Sequence, residues 1–196
     1  MRSSTRLALL LVACFASGGT RAQGLAANEF RRVGSGFTCV TVTKDFESGY
    51  LPCLRIGPLY VGQREKDIEK LVGKPWKAIR QDAATVIKVY SIASKETEKP
   101  YWVITFTRGV AATVQVTGRN PGVEYPFSSI KLGDPKEKVL QVLGEPMASA
   151  PIDQSRGTVW AYPPWPFSVE LVDDLVYSIR VTSPQQTTTA PPPASR

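Results

Sequence analysis

The segment IKLGDPKEKVLQVLGEP at residues 130–146 has a paler copy, LYVGQREKDIEKLVGKP, at 59–75. The two align without a gap. Gly62 and Gly133, Gly73 and Gly144, and Pro75 and Pro146 each lie 71 residues apart. Between the glycines, Ile68, Leu71 and Val72 match Val139, Val142 and Leu143. A fixed offset that carries turn residues and apolar pattern together marks an internal repeat, and a repeat constrains the fold before any single element does.

Each copy carries a helix with start and stop signals. In the second, Asp134 is placed to cap the helix, with Pro135 at its first position and Glu137 completing a capping-box spacing. Val139, Val142 and Leu143 form the apolar stripe, and Gly144 then Pro146 end the helix. The first copy has a weaker start, with Gln63 and Arg64 in place of Asp134 and Pro135.

Strands follow each helix. The first copy gives ATVIKVYSI, YWVITFT and AATVQVTG; the second gives GTVWAY, FSVELV and LVYSIRVTS. The last two strands of each copy match at an offset of 65, and the longer first-copy turn SKETEKP absorbs the difference. The expected class is α+β. It consists of two tandem repeats, each a short helix or helix pair packed on a three-stranded antiparallel meander. Alternation assigns Trp102, Ile104, Phe106, Val114 and Val116 to the helix-covered side of the first copy. Phe167, Val169, Leu171, Tyr177, Ile179 and Val181 take that side in the second. Tyr101, Thr105, Thr113, Gln115 and Arg180 turn the other way.

The expected boundaries are a leader at 1–22, an N-terminal segment at 23–58, repeats at 59–118 and 119–182, and a Pro/Thr-rich tail at 183–196. The leader has Arg2 and Arg6 ahead of a short apolar run, and Thr20-Arg21-Ala22 has small-x-small form. LVAC at 11–14 offers a second processing site, giving a lipoprotein signal at 1–13 and a lipidated Cys14; both alternatives stand. In an oxidising compartment Cys39 and Cys53 form a disulfide pair, which contributes about 3 kcal/mol for so short a loop. The location is periplasmic, or outer-membrane-anchored if Cys14 carries lipid. The chain carries +7, and removing Arg2, Arg6 and Arg21 leaves +4. The positive residues are mixed with acids and make no basic stripe, which argues against nucleic acid and allows contact with peptidoglycan or lipopolysaccharide.

The short Val-Gly or Leu-Gly step, the helix, the Gly-x-Pro and the meander ending in Ile179-x-Val181 resemble the SmpA/OmlA (BamE-like) lipoprotein domain. Two such units in tandem are similar to the arrangement in β-lactamase-inhibitor-type proteins. The resemblance implies small exported envelope proteins that act by binding other proteins. It brings no catalytic residues with it.

The residues themselves point away from catalysis. There is no histidine, which removes the commonest general base and metal ligand. Cys39 and Cys53 lack C-x-x-C spacing, GSG at 34–36 lacks a phosphate-loop context, and Asp173-Asp174 reads as a hairpin turn. No cofactor and no metal site are expected. Trp76, Tyr101, Trp102, Trp160, Tyr162, Trp165 and Phe167 fall in or beside the repeats. Trp102 and Phe167 read as core, while Trp165, between two prolines, reads as an exposed loop residue. The expected partner surface is therefore Tyr101, Thr105, Gln115, Trp160, Tyr162, Trp165 and Arg180. The expected function is a non-catalytic protein-binding module that supports outer-membrane assembly or integrity; the alternative is an inhibitor of a periplasmic or secreted hydrolase.

Overall fold

The computed structural model describes residues 29–40, 53–92, 100–119, 125–152 and 156–184. Cys14, both leader cleavage sites and residues 185–196 of the tail lie outside the described residues, as does most of the SKETEKP turn. First come a hairpin, β1 (Glu29–Val33) with β2 (Gly36–Val40), and a short ribbon, β3 (Arg55–Ile56) with β4 (Leu59–Tyr60). Next are helix α1 (Glu65–Val72) and strands β5 (Lys77–Arg80), β6 (Thr85–Ser91), β7 (Tyr101–Thr107) and β8 (Val110–Thr117). Helix α2 (Lys136–Leu143) and strands β9 (Ala148–Pro151), β10 (Gly157–Ala161), β11 (Phe167–Val172) and β12 (Leu175–Thr182) complete the order.

The expected fold class is wrong. The chain is mostly β, with two eight-residue helices on one eight-stranded antiparallel sheet in the order β5-β6-β7-β8-β12-β11-β10-β9. It is not a pair of helix-on-meander α+β units. The physical reason lies at the middle: β8 and β12 pair with each other, from Thr113↔Thr182 to Thr117↔Ser178, so neither set of strands keeps an inner edge. At the outside, β5 and β9 add a strand the sequence reading lacks. All eight of their residues are exposed, so they display no burial alternation from which a strand could be read.

The backbones of the two halves correspond closely. Gly62 N–H donates to the Ala111 carbonyl at 2.8 Å, and Gly133 N–H to that of Val176 at 2.8 Å. A β-bulge lies between Thr105 and Phe106, and its counterpart between Glu170 and Leu171. That second bulge shifts β12 by one residue, so Val176 is buried and Tyr177 is not, contrary to the alternation read for Tyr177. Gly73 and Gly144 close the helices at φ 84° and 76°.

Asp134 does not cap α2. The residue before the helix is Pro135, and the Asp134 carboxylate turns back to accept the Lys131 backbone N–H at 2.8 Å and to pair with Lys138 at 2.8 Å. Gln63 does likewise, accepting from Tyr60 N–H at 3.2 Å. No side-chain cap is required, because the first helical N–H groups of Glu65 and Lys136 donate to the carbonyls of Gly109 and Asp174 in the facing turns.

One core runs under both halves. It includes Ile68, Trp102, Ile104 and Phe106 in the first and Val139, Phe167, Val169 and Ile179 in the second. The β1–β2 hairpin adds Phe30 and Phe37, which meet the Phe167 ring at 5.1 and 5.2 Å.

Candidate binding face

The helices and the hairpins cover one side of the sheet; the other side carries the site. At its centre β8 and β12 run antiparallel, and Gln115 sits directly opposite Arg180. These two residues are also 65 apart, the offset that relates the last strands of the halves. The local twofold of the repeat therefore passes between them, and any residue at that place meets its own counterpart. Two arginines would repel there. Gln115 with Arg180 bonds instead: Arg180 Nε donates to Gln115 Oε1 at 2.9 Å.

The pair anchors a wider array. An Arg180 terminal nitrogen donates to Glu170 at 3.3 Å, and the Gln115 amide donates to the Ser178 hydroxyl at 2.8 Å and the Thr117 hydroxyl at 3.0 Å. Ser178 and Thr117 share a further bond at 3.1 Å and are sealed beneath, at 0% and 3% exposure. Arg180 remains 43% exposed. The array is thus rigid below and accessible above, a preorganised arrangement that loses little freedom on contact.

Tyr101 flanks this centre. Burial raises its hydroxyl pKa, with Tyr177, hydrogen-bonded to it, and the negative Glu170 adding to the shift. The hydroxyl stays protonated at neutral pH, held in its bond with Tyr177. Thr105 and Thr113 face each other one row further along, both half-buried. The open face therefore holds Tyr101, Thr105, Thr113, Gln115 and Arg180 together. Glu170, Thr117, Tyr177 and Ser178 join them, as do Val103 and Ser168, the cross-strand partners of Gln115 and Arg180; strand parity alone places Glu170 and Ser178 there.

Three expected face residues are elsewhere. Trp160 points to the covered side and is 7% exposed, because it pairs with Val169 in the buried row and lies under Lys136, whose Nζ is 5.7 Å from the ring centre. Tyr162 is core at 1%, its hydroxyl donating to the Gly144 carbonyl at 3.2 Å. Burial drives its pKa well above the ordinary tyrosine range. Trp165 is not a free loop residue: it is half-buried against Phe30 and Phe37, with ring centres at 6.3 and 5.7 Å. The β1–β2 hairpin, which lies within the N-terminal segment at 23–58, occupies the side where Trp165 would have met solvent.

Cys39 and Cys53 are joined in a disulfide that ties β2 to the start of the β3–β4 ribbon. Among the described residues, no three His, Cys, Asp or Glu side chains are grouped to hold a metal ion, and no helix is long and apolar enough to cross a membrane.

No family model and no curated protein matches the chain. Among solved structures it is similar to a cysteine-rich secretory protein from Staphylococcus aureus, at 15% identity and a TM-score of 0.44, covering 64% of this chain and 45% of that one. The chain thus spans less than half the length of that protein. It is also similar to a DUF4309-family protein from Bacillus subtilis (11%, TM-score 0.45, 69% and 88% covered). A candidate β-lactamase inhibitor protein from Streptococcus mutans gives 12%, a TM-score of 0.25, and 63% and 83%. None of these three reaches a TM-score of 0.5, and none assigns a function.

Proposed function

We propose that this chain is an exported, non-catalytic protein-binding module of the bacterial cell envelope, taking a protein partner on the open face of its sheet. The observation that carries the reading is the Gln115–Arg180–Glu170 array on the twofold. It is fixed from below, accessible from above, and flanked by a tyrosine. Tyrosine and arginine on a rigid support are the residues that most often anchor protein interfaces. The resemblance to BamE-like domains supports an envelope setting, and outer-membrane assembly or integrity is the process it suggests. The module belongs in the periplasm, or on the outer membrane if Cys14 is lipidated.

A second reading is inhibition of a periplasmic or secreted hydrolase. The preorganisation of Arg180 favours it, since a charged group held in place can fill a complementary cleft without ordering cost. The test is capture by immobilised protein from a periplasmic extract, followed by titration of the purified partner. Tyr101→Ala and Arg180→Ala should each weaken binding by about 2 kcal/mol while thermal stability stays close to wild type. A captured hydrolase that loses activity selects the second reading. Unchanged affinity in both variants rejects the face.

A further inference from the structure

The sheet has two outer edges, and they are not alike. In β5, the register with β6 and the Gln81 N–H bond to Thr85 O at 3.0 Å place the bonded pairs at Lys77, Ile79 and Gln81. The N–H groups of Ala78 and Arg80 therefore point away from the sheet. In β9 the matching bond, Ile152 N–H to Gly157 O at 3.0 Å, turns Ser149 and Pro151 outward. Pro151 is the counterpart of Arg80 and has no N–H to offer. Proline at that place is a common way of closing an edge to pairing. The β5 edge has no such block.

The side chains differ in the same sense. β9 reads Ala-Ser-Ala-Pro and carries no charge, whereas Lys74, Lys77 and Arg80 stand on and beside β5. None of these three meets a carboxylate among the described residues. Trp76 stands at the head of β5 at 64% exposure, and Ile79 within it at 44%. A second copy of the chain is a poor occupant: antiparallel pairing of two β5 strands would bring Lys74, Lys77 and Arg80 of one copy alongside the same three positive residues of the other.

We propose that the β5 edge accepts an extended acidic segment of a partner protein, which adds to the sheet as a ninth strand. The site is distinct from the open face and stands whether or not that face binds. Backbone bonds at Ala78 and Arg80 give the pairing, and cross-strand neighbours give the selectivity. In an antiparallel partner, the residues opposite Arg80 and Lys77 are acidic, and those opposite Ile79 and Trp76 are apolar. The pattern is acid, apolar, any, acid, apolar.

The test uses the full mature chain and a fluorescein-labelled peptide, Thr-Glu-Val-Thr-Glu-Val-Thr, followed by anisotropy. A version with Lys for both Glu residues is the control. The Glu peptide should bind, the Lys peptide should not, and amide signals of residues 78 and 80 should shift in NMR spectra. Arg80→Gln, which keeps the N–H, should weaken binding by about tenfold, and Arg80→Pro, which copies β9, by more. Tyr101→Ala should leave peptide affinity unchanged, which separates this edge from the open face. No binding of the Glu peptide, equal binding of the Lys peptide, or full affinity in Arg80→Pro would overturn the proposal. So would loss of binding in Tyr101→Ala, or self-association of the chain through β5.

Discussion

Lys88 in the first half and Trp160 in the second occupy equivalent places on the covered side, opposite Ala78 and Ser149 in the neighbouring edge strands. Lys88 bonds Glu65 and Glu69 of α1. Burial works against its charge, but the bonds to Glu65 and Glu69 outweigh burial and hold its pKa above the ordinary lysine value. In the second half the charge lies on the helix instead, as Lys136 over the Trp160 ring. Two residues along, Tyr90 and Tyr162 are also counterparts. Tyr162 donates to Gly144, while the Tyr90 hydroxyl is buried with no partner among the described residues. The β1–β2 hairpin packs on the second half. The comparison teaches that the glycine turns, bulges and ladder bonds define the repeat, while each half fills the helix–sheet seam with its own chemistry.

The largest expected effect comes from Trp102 and Phe167, which are 65 apart and both buried. Alanine at either should cost about 3–5 kcal/mol. Calorimetry of each variant should still show one transition, because one core spans the halves; two resolved transitions would break the view of a shared core. Next is the disulfide. Cys39→Ser with Cys53→Ser should cost about 3 kcal/mol in urea unfolding. It should also shift Trp165 emission to the red as the hairpin loosens from it.

Smaller effects sharpen the contrast. Gly73→Ala and Gly144→Ala both place a side chain at positive φ, costing about 1 kcal/mol. The two costs should be similar: the space at Gly73 is open, and the atom that the new Cβ of Gly144→Ala would meet is the far end of the exposed, flexible Arg32 side chain, which can swing aside. The tyrosines should respond with opposite signs. Tyr162→Phe should destabilise by about 1 kcal/mol, and Tyr90→Phe should be neutral or stabilising, since it removes an unpaired buried hydroxyl. Burial pushes Tyr90 from 10.0 up to about 12. A raised pKa means that its contribution is fully present below pH 10 and gone above about 12. The melting temperature of Tyr90→Phe should therefore fall less steeply than that of wild type across that window.

The turns and central strands were legible because glycines and strict alternation carry them: Gly62, Gly73, Gly133 and Gly144, and the runs at Trp102–Phe106 and Phe167–Leu171. The outer strands were not. Lys77–Arg80 has no buried residue, and Ala148–Pro151 has weak strand propensity with a proline inside it. Parity alone places Tyr101, Thr105, Gln115 and Arg180 on the open side of the sheet. Trp160, Tyr162 and Trp165 lie elsewhere. Their burial depends on Lys136, on α2 and on a hairpin more than 120 residues earlier in the chain, and no local pattern announces such contacts. That Gln115 faces Arg180 across a twofold required knowing that β8 pairs with β12.

The most direct test of the open face is a photoreactive phenylalanine analogue placed at Thr105, which lies on that face outside the Gln115–Arg180–Glu170 array, with a second chain carrying it at Lys66 on the exposed side of α1 as control. On irradiation in the producing cell, position 105 should cross-link one discrete protein, which Arg180→Glu should abolish without lowering the melting temperature appreciably. Cross-links from position 66 alone, or a position-105 product that persists in Arg180→Glu, would contradict the assignment of this face as the binding surface.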